Sequence, residues 1–271
     1  KHIVERFRRE ALAAGRMRHE HVVMVTDFGH VQGIGHYYAM EYLQGKTLKE
    51  VLDGGEDFPA ERIMHIAEQV SSAMVRVHSQ RVVHRDLKPE NIFLINKNGV
   101  SDYVKLVDFG IAKIMDEGGV GLTRTGLSVG TPLYMSPEQA RGQIDALDIR
   151  SDIYSWGIIL YEILTNRPPF YSENPHDVVM MQIRKIPPPL AETDPSRQFS
   201  PLLEDLIQRA LAKDPNKRPP SMEVFYRELQ EAFSSETPFI QLEEDHTPLR
   251  ISAEEEIPTT LMEYSPEYAS K

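Results

Sequence analysis

The sequence predicts an α+β fold in which a short strand-bearing front precedes a larger, mainly helical part. Residues 21–31 and 35–43 (HVVMVTDFGHV and GHYYAMEYL) are β-branched and aromatic-rich, and the turn-prone QGIG between them is typical of a hairpin. From Thr47 onward, apolar residues recur at helical spacing. The clearest such stripe is formed by Ile63, Ile66, Ala67, Val70, Met74 and Val77.

The other elements follow from the same patterns. Residues 3–17 (IVERFRREALAAGRM) keep apolar side chains on one face, which predicts an opening helix, and Pro59 suits the start of a second. Residues 91–110 contain Asn98–Gly99 between two apolar runs, which favours a second hairpin. A Gly- and Thr-rich loop is expected over 116–131, and further helices are expected around 151–164, 201–212 and 220–233.

Composition narrows the class of protein. The chain has 271 residues, no cysteine and a net charge of −11, which excludes disulfides and argues against a broad nucleic-acid surface. No apolar run is long enough to predict a membrane span in this segment. Beyond Ser235 the sequence is acidic and punctuated by prolines, so we expect a disordered tail or linker, with a docked extended segment as the alternative.

Two motifs carry the chemistry. HRDLKPEN (residues 84–91) is followed, seventeen residues after Asn91, by Asp-Phe-Gly at 108–110. Together they resemble the catalytic loop and the metal-binding loop of the protein kinase family. The resemblance implies that Asp86 accepts the proton of the substrate hydroxyl and that Lys88 neutralises the transferred phosphate. Asn91 and Asp108 are implied as ligands of two Mg²⁺ ions, with Mn²⁺ as an alternative, and His84, Phe109 and Gly110 as structural members of these loops.

Three further matches extend the resemblance. GTPLYMSPEQA resembles the end of the kinase activation segment, with Ser136 where the family usually has Ala. Arg218 matches the arginine that pairs with the glutamate of this motif, here Glu138. SDIYSWG resembles the central buried helix, so Asp152 is implied to bond the catalytic-loop backbone and Trp156 to pack beneath the substrate region.

The resemblance also assigns an ATP site. Glu10 matches the regulatory-helix glutamate that pairs with a strand lysine. Met40 is implied to gate the back pocket, and the backbone of Glu41 and Leu43 to bond the adenine edge. Phe93 is implied to form the floor of the pocket under the adenine ring.

Protein serine and threonine hydroxyls are the implied substrates. Lys88 and the Gly130–Thr131 pair follow the serine/threonine pattern, and Thr131 is implied to bond the catalytic Asp and Lys. Arg85 suggests control by a phosphate on the activation segment. The candidate acceptors are Thr123, Thr125 and Ser128, with self-association as an option for autophosphorylation.

The resemblance divides the chain into a partial N-lobe (1–40), a hinge (41–46), a complete, mainly helical C-lobe (47–235) and the tail (236–271). The sequences of these motifs are most similar to those of bacterial members of the eukaryotic-like family. This implies a cytoplasmic kinase domain that a longer protein could anchor to a membrane.

Residues 1–9 contain neither the family's glycine-rich loop nor a suitable strand lysine, since Lys1 lies too close to Glu10. We therefore expect a fragment of an active kinase that transfers little phosphate on its own. The first alternative is a natural, truncated pseudokinase-like scaffold with weak ATP affinity. A generic helical binding domain is the second.

Overall fold

The computed structural model describes residues 18–31, 35–108, 132–234 and 239–241. The predicted opening helix, the glycine- and threonine-rich loop and most of the tail lie outside these ranges. Several predicted site residues do so too, namely Glu10, Phe109, Gly110, Thr123, Thr125, Ser128 and Thr131.

The first predicted hairpin is confirmed. Strands β1 (Val25–Val31) and β2 (Gly35–Met40) pair antiparallel, from Val31 opposite Gly35 to Val25 opposite Met40. Backbone hydrogen bonds join the segment before β1 to Leu106. The Leu106 amide donates to the His21 carbonyl at 2.8 Å, and the Val23 amide donates to the Leu106 carbonyl at 2.9 Å.

The second sheet has the order β3–β4–β5, from strands Gly45–Thr47, Ile92–Lys97 and Val100–Leu106. Its β4–β5 hairpin was also predicted and is confirmed. Asn98 and Gly99 both have positive φ, at 53° and 84°, which is what a two-residue hairpin turn matched to the twist of the strands requires. This hairpin lies directly between the HRDLKPEN segment and Asp108, and therefore determines how the two are placed.

Eight α-helices are found among the described residues. Their bounds are α1 Leu48–Asp53, α2 Ala60–Ser79, α3 Pro137–Ala140, α4 Ile149–Thr165, α5 Pro175–Arg184, α6 Leu190–Thr193, α7 Pro201–Ala210 and α8 Met222–Ser234. Short 3₁₀ turns cover Pro89–Asn91, Pro132–Tyr134, Ile144–Ala146 and Pro215–Lys217. None of the helices in these ranges combines the length and the apolar character needed to cross a membrane.

Helix α4 is the centre of the helical part. Every residue from Ser151 to Thr165 is buried, so this helix is packed on all sides. Its apolar residues dominate, and its buried polar residues are Ser151, Asp152, Ser155, Glu162 and Thr165. Asp148 caps its first turn by accepting from the Arg150 amide, and Asn166 ends it in the left-handed conformation. A Cβ atom at Gly157 would lie 3.0 Å from Cβ of Ala210, so glycine allows α7 to pack closely against α4.

Several elements differ from the sequence expectation. The elements that were not predicted include helices α3, α5 and α6 and strands β3 and β6 (Arg197–Phe199). Helix α5 buries only Val178 and Gln182 and so lacks a recognisable apolar stripe. The expectation of a disordered tail is wrong at its start: Phe239–Gln241 forms a strand, β7, paired with β6. The alternative of a docked segment applies there, because the Phe239 ring packs against Phe199 and Phe233.

Candidate active site

The HRDLKPEN loop is tied to the core through one carboxylate. Asp152, on the first turns of α4 and 1% exposed, accepts from the backbone amides of His84 at 2.8 Å and Arg85 at 2.9 Å. Its Oδ2 also bonds Nε2 of His78, at the end of α2, at 2.9 Å. A buried carboxylate is stable only when such donors surround it, so the loop and α4 hold each other in place.

This bonding holds an unfavourable backbone conformation. Arg85 has a φ of 63°, in the left-handed region that costs free energy for a residue with a side chain. The bond from its amide to Asp152 helps to retain that geometry at the residue before Asp86. Sequence reasoning missed His78. Its position one turn after Met74, on the buried face of a helix, was the available signal.

Three polar side chains of the loop converge. Nζ of Lys88 lies 3.1 Å from Oδ2 of Asp86. Nδ2 of Asn91 donates to the Asp86 carbonyl at 2.8 Å and to Asp86 Oδ2 at 3.2 Å. Because both contacts use the nitrogen of the Asn91 amide, its carbonyl oxygen is not consumed by either of them.

Asp108 adjoins this cluster. It lies two residues past the end of β5, and the amide of the intervening Val107 donates to the Asn91 carbonyl at 3.0 Å. Asp108 itself is exposed and has a φ of 51°. An amide oxygen and a carboxylate fit the preference of Mg²⁺, which takes one or two protein oxygens and fills its other positions with water or phosphate.

The residues assigned to the adenine pocket lie at the end of β2 and in the adjoining sheet. The Glu41 amide donates to the Met24 carbonyl at 3.0 Å, so its N–H is already bonded and only its carbonyl could serve a ligand. The Glu41 carboxylate accepts from Lys105 at 2.7 Å and from the Met24 amide at 2.8 Å. Met40 is exposed, and Phe93 is half-buried in β4 beside Thr47 of β3. The Leu43 amide makes no backbone bond within the described ranges.

Glu138 and Arg218 form a buried, two-pronged ion pair with contacts of 2.8 and 2.9 Å. Ser151 Oγ adds a bond to Glu138 at 2.6 Å, and the guanidinium also donates to the carbonyls of Ala212 and Arg150. Burial alone would raise the pKa of Glu138, but the bonds from Arg218 and Ser151 outweigh it and lower the pKa to about 2. This pair ties α3 to the segment before α8.

Trp156 is fully buried in α4, and its Nε1 has no hydrogen-bond partner among the described residues.

A chain of hydrogen bonds through Tyr154, two residues before Trp156, was not predicted from the sequence. Lys213 Nζ donates to Tyr154 Oη at 2.8 Å, and Tyr154 donates to Gln182 Oε1 at 2.6 Å. Gln182 Nε2 then reaches the Leu133 carbonyl at 2.5 Å, close to the end of the GTPLY motif. Desolvation and the neighbouring positive charge of Arg218 lower the pKa of Lys213 to about 7.

Comparison with known proteins identifies the fold and the family. The model of the protein kinase domain matches residues 1–229. Serine/threonine-protein kinase pkn3 of Myxococcus xanthus is 44% identical over 84% of this chain and 42% of its own length. PknB of Mycolicibacterium smegmatis is 39% identical over 79% of the chain and 33% of its own length.

The chain thus spans less than half the length of these two curated relatives. Among solved structures, the kinase domain of Mycobacterium tuberculosis PknI, in a variant with one cysteine replaced by alanine, matches with a TM-score of 0.65 and 25% identity. That match covers 85% of this chain and 79% of the solved one. On these grounds, and with the α+β architecture and the loop geometry described above, the chain belongs to the protein kinase family.

Proposed function

We propose that the protein transfers the γ-phosphoryl group of ATP to serine or threonine hydroxyls of proteins. The observation that carries this proposal is the convergence of Lys88 and Asn91 on Asp86, in a loop that Asp152 fastens to the core. The names of the relatives, which are serine/threonine-protein kinases, support the same activity.

Asp86 is the proposed base. Its carboxylate is partly exposed, and Asn91 and Lys88 fix its orientation. A substrate hydroxyl that approaches this carboxylate can give up its proton to it as the oxygen attacks phosphorus. Lys88, on the same side of Asp86, then stabilises negative charge on the transferred group.

Asn91 and Asp108 are the proposed metal ligands. The family uses ATP with a divalent metal, and these two residues offer the hard oxygen donors that Mg²⁺, or Mn²⁺ in its place, prefers. The bound metal neutralises phosphate charge. The role of the chain is to hold the Asn91 oxygen clear of Asp86, which the two bonds from its nitrogen achieve.

The proposed adenine site uses the Glu41 carbonyl, the Leu43 amide, Met40 at the back and Phe93 beneath. The carbonyl of Glu41 is chosen for this proposal because its amide already donates to the Met24 carbonyl. The motifs alone support two further assignments, Glu10 on the regulatory helix and Thr131 as a hydrogen-bond partner of Asp86 and Lys88.

Regulation is proposed to act through the activation segment. Arg85 would receive a phosphate on Thr123, Thr125 or Ser128, placed there by a second copy of the kinase. Structural support is assigned to His84, Phe109, Gly110, Trp156 and the Glu138–Arg218 pair. The ATP requirement favours a cytoplasmic location for the domain.

The test uses the protein with any natural sequence that flanks residues 1–271, incubated with ATP, Mg²⁺ and a protein acceptor. Phosphate on serine and threonine is then identified by mass spectrometry. Asp86→Asn should lower turnover about 10²–10⁴-fold, because the base is lost while the shape is kept. Nucleotide binding and the thermal midpoint should change little.

Asp205→Asn is the matched control, since Asp205 lies on α7 in a surface pair with Arg209. It should leave turnover at the level of the unaltered protein. Undiminished turnover in Asp86→Asn would overturn the proposal, as would phosphate found only on tyrosine. Nucleotide binding without any transfer in the unaltered protein would point to a scaffold instead.

A further inference from the structure

Gln139 in α3 bridges the end of the activation segment and the catalytic loop. Its Nε2 donates to the Arg85 carbonyl at 2.6 Å. Its Oε1 accepts from the Ser136 amide at 3.0 Å and from Ser136 Oγ at 3.1 Å. The carboxamide is therefore used at both ends, by two segments about fifty residues apart in sequence.

The carbonyl that Gln139 holds belongs to the peptide bond joining Arg85 to Asp86. On the other side of that peptide, the Asp86 amide donates to Nδ1 of His84 at 3.4 Å, a long contact. If ψ of Arg85 changes, this carbonyl moves, and the Cα–Cβ bond of Asp86 turns with it. The residue before it has a φ of 63°, a conformation that persists only where surrounding contacts impose it.

Gln139 can act as a firm support because its own helix is fixed. The preceding residue, Glu138, is locked by the buried pair with Arg218. Ser136 and Gln139 also form a reciprocal capping box at the start of α3. The hydrogen bond from Gln139 therefore opposes displacement of the catalytic-loop peptide, because the helix that carries Gln139 is fixed to the core.

We propose that Gln139 is a positioning residue for the phosphoryl-transfer reaction, because its carboxamide sets the orientation of the Arg85–Asp86 peptide and hence of the Asp86 carboxylate. This inference rests on the function proposed above for Asp86. Gln139 thereby couples the end of the activation segment to the catalytic base, so that a shift of α3 changes the orientation of the Asp86 carboxylate.

The chemistry singles out a carboxamide of this length. Glutamate keeps the acceptor that caps Ser136, but it presents a carboxylate oxygen to the Arg85 carbonyl where a donor is needed. Asparagine is one methylene shorter and cannot span both partners. Gln139→Glu thus removes the hydrogen bond to the Arg85 carbonyl and leaves the helix cap in place, since glutamate is itself favoured at that cap position.

The experiment compares Gln139→Glu with Gln143→Glu in the full protein. Gln143 is exposed, three residues past α3, and its substitution makes the same change in charge. We expect kcat to fall about 10–100-fold in Gln139→Glu, as for a misplacement near 1 Å. KM for ATP should stay within about twofold, since no nucleotide contact is assigned to Gln139. Gln143→Glu should match the unaltered protein.

The pH profile separates positioning from simple structural damage. In Gln139→Glu, the Arg85 carbonyl facing the introduced carboxylate disfavours its charged form and raises its pKa above the ordinary value of about 4.3. Protonation restores a donor for that carbonyl, so the deficit in kcat should shrink as pH falls from about 8 toward about 5. Gln139→Met, which has neither donor nor charge, should show a deficit in kcat that does not shrink. If Gln139→Glu fails to fold, Gln139→Met still tests the role of Gln139. In the Asp86→Asn background, Gln139→Glu should cause no further loss.

The two proposals fail separately. Full turnover in Asp86→Asn would overturn the proposed function. A normal loss in Asp86→Asn, with Gln139→Glu and Gln139→Met both equal to Gln143→Glu in kcat, would overturn only the role of Gln139. A deficit that is independent of pH and additive with Asp86→Asn would also overturn it.

Discussion

Two ion pairs of similar chemistry lie in very different surroundings in this molecule. In the Glu138–Arg218 pair, the side chains are 4% and 0% exposed, and two short contacts join them. In the Asp86–Lys88 pair, the side chains are 18% and 27% exposed, and a single contact of 3.1 Å joins them. Both consist of a carboxylate and a cation, so the difference in surroundings decides what each can do.

In the Glu138–Arg218 pair, most hydrogen-bond donors and acceptors are already used within the protein. Ser151 and two backbone carbonyls occupy further donors and acceptors of Glu138 and Arg218, so the pair has little capacity left for a ligand. The second pair retains contact with solvent and a weaker mutual bond. A buried pair with few free donors or acceptors holds segments together, whereas a partly exposed pair can exchange its partner for a substrate. Breaking the first should therefore affect stability, and breaking the second should affect activity.

Arg218→Met should cause the largest loss of stability. It leaves the Glu138 carboxylate buried without its cation, which typically costs about 3–5 kcal/mol in the free energy of unfolding. Urea unfolding monitored by circular dichroism measures this. Arg209→Met removes an arginine from a surface network with Asp205 and Glu228, and should cost less than about 1 kcal/mol. Equal losses in the two variants would contradict the distinction.

Lys213→Met should stabilise the fold by a smaller amount, and the gain should depend on pH. The folded-state pKa of Lys213 is lowered to about 7 from an ordinary value near 10.5, so folding releases a proton between these pH values. The unaltered protein therefore gains stability as pH rises from about 7 to 10.5. The advantage of the methionine variant should be greatest, about 1–2 kcal/mol, below about pH 7 and should decline above it.

Thermal or urea unfolding at about pH 6.5 and about pH 9.5 measures this difference. Lys217→Met is the control, because Lys217 is exposed in the neighbouring 3₁₀ turn and should show no such dependence on pH. An advantage that grows with pH would have the wrong sign for a buried amine.

Lys88→Met should have the smallest effect on stability, less than about 1 kcal/mol, because Asp86 remains partly solvated and bonded to Asn91. Turnover should nevertheless fall about 10²-fold or more, since a charge directed at the transferred phosphate is lost. Steady-state assays and urea unfolding on the same samples test both statements. Lys46→Met, which breaks an exposed pair with Glu56, should change neither by much.

The parts of the site that the sequence predicted are those encoded within a few residues. Asp86, Lys88 and Asn91 belong to one continuous motif, so their proximity follows from local geometry. Glu138 and Arg218 are eighty residues apart, and only the family resemblance joined them in advance. The two hairpins were predictable because β-branched runs flank turn residues with a preferred geometry.

The missed features depend on contacts between distant segments. His78, Gln139 and Lys213 each look like an ordinary polar residue of a helix or loop until the partner segment is brought beside it. Strand β7 has three residues, too few for a periodic signal, and exists because Phe239 finds Phe199 and Phe233. Tertiary packing overrides local preference at such places.

The bonds to Asp152 have a consequence for motion in the catalytic loop. Loop amides usually exchange their protons with water rapidly, because small local openings suffice. Here the amides of His84 and Arg85 are bonded to a carboxylate of the buried helix α4, and releasing them leaves that charge with the His78 ring as its remaining partner among the bonds described above. Their hydrogen exchange is therefore expected to follow the opening of the core, so a segment without regular secondary structure should be among the best protected in the protein.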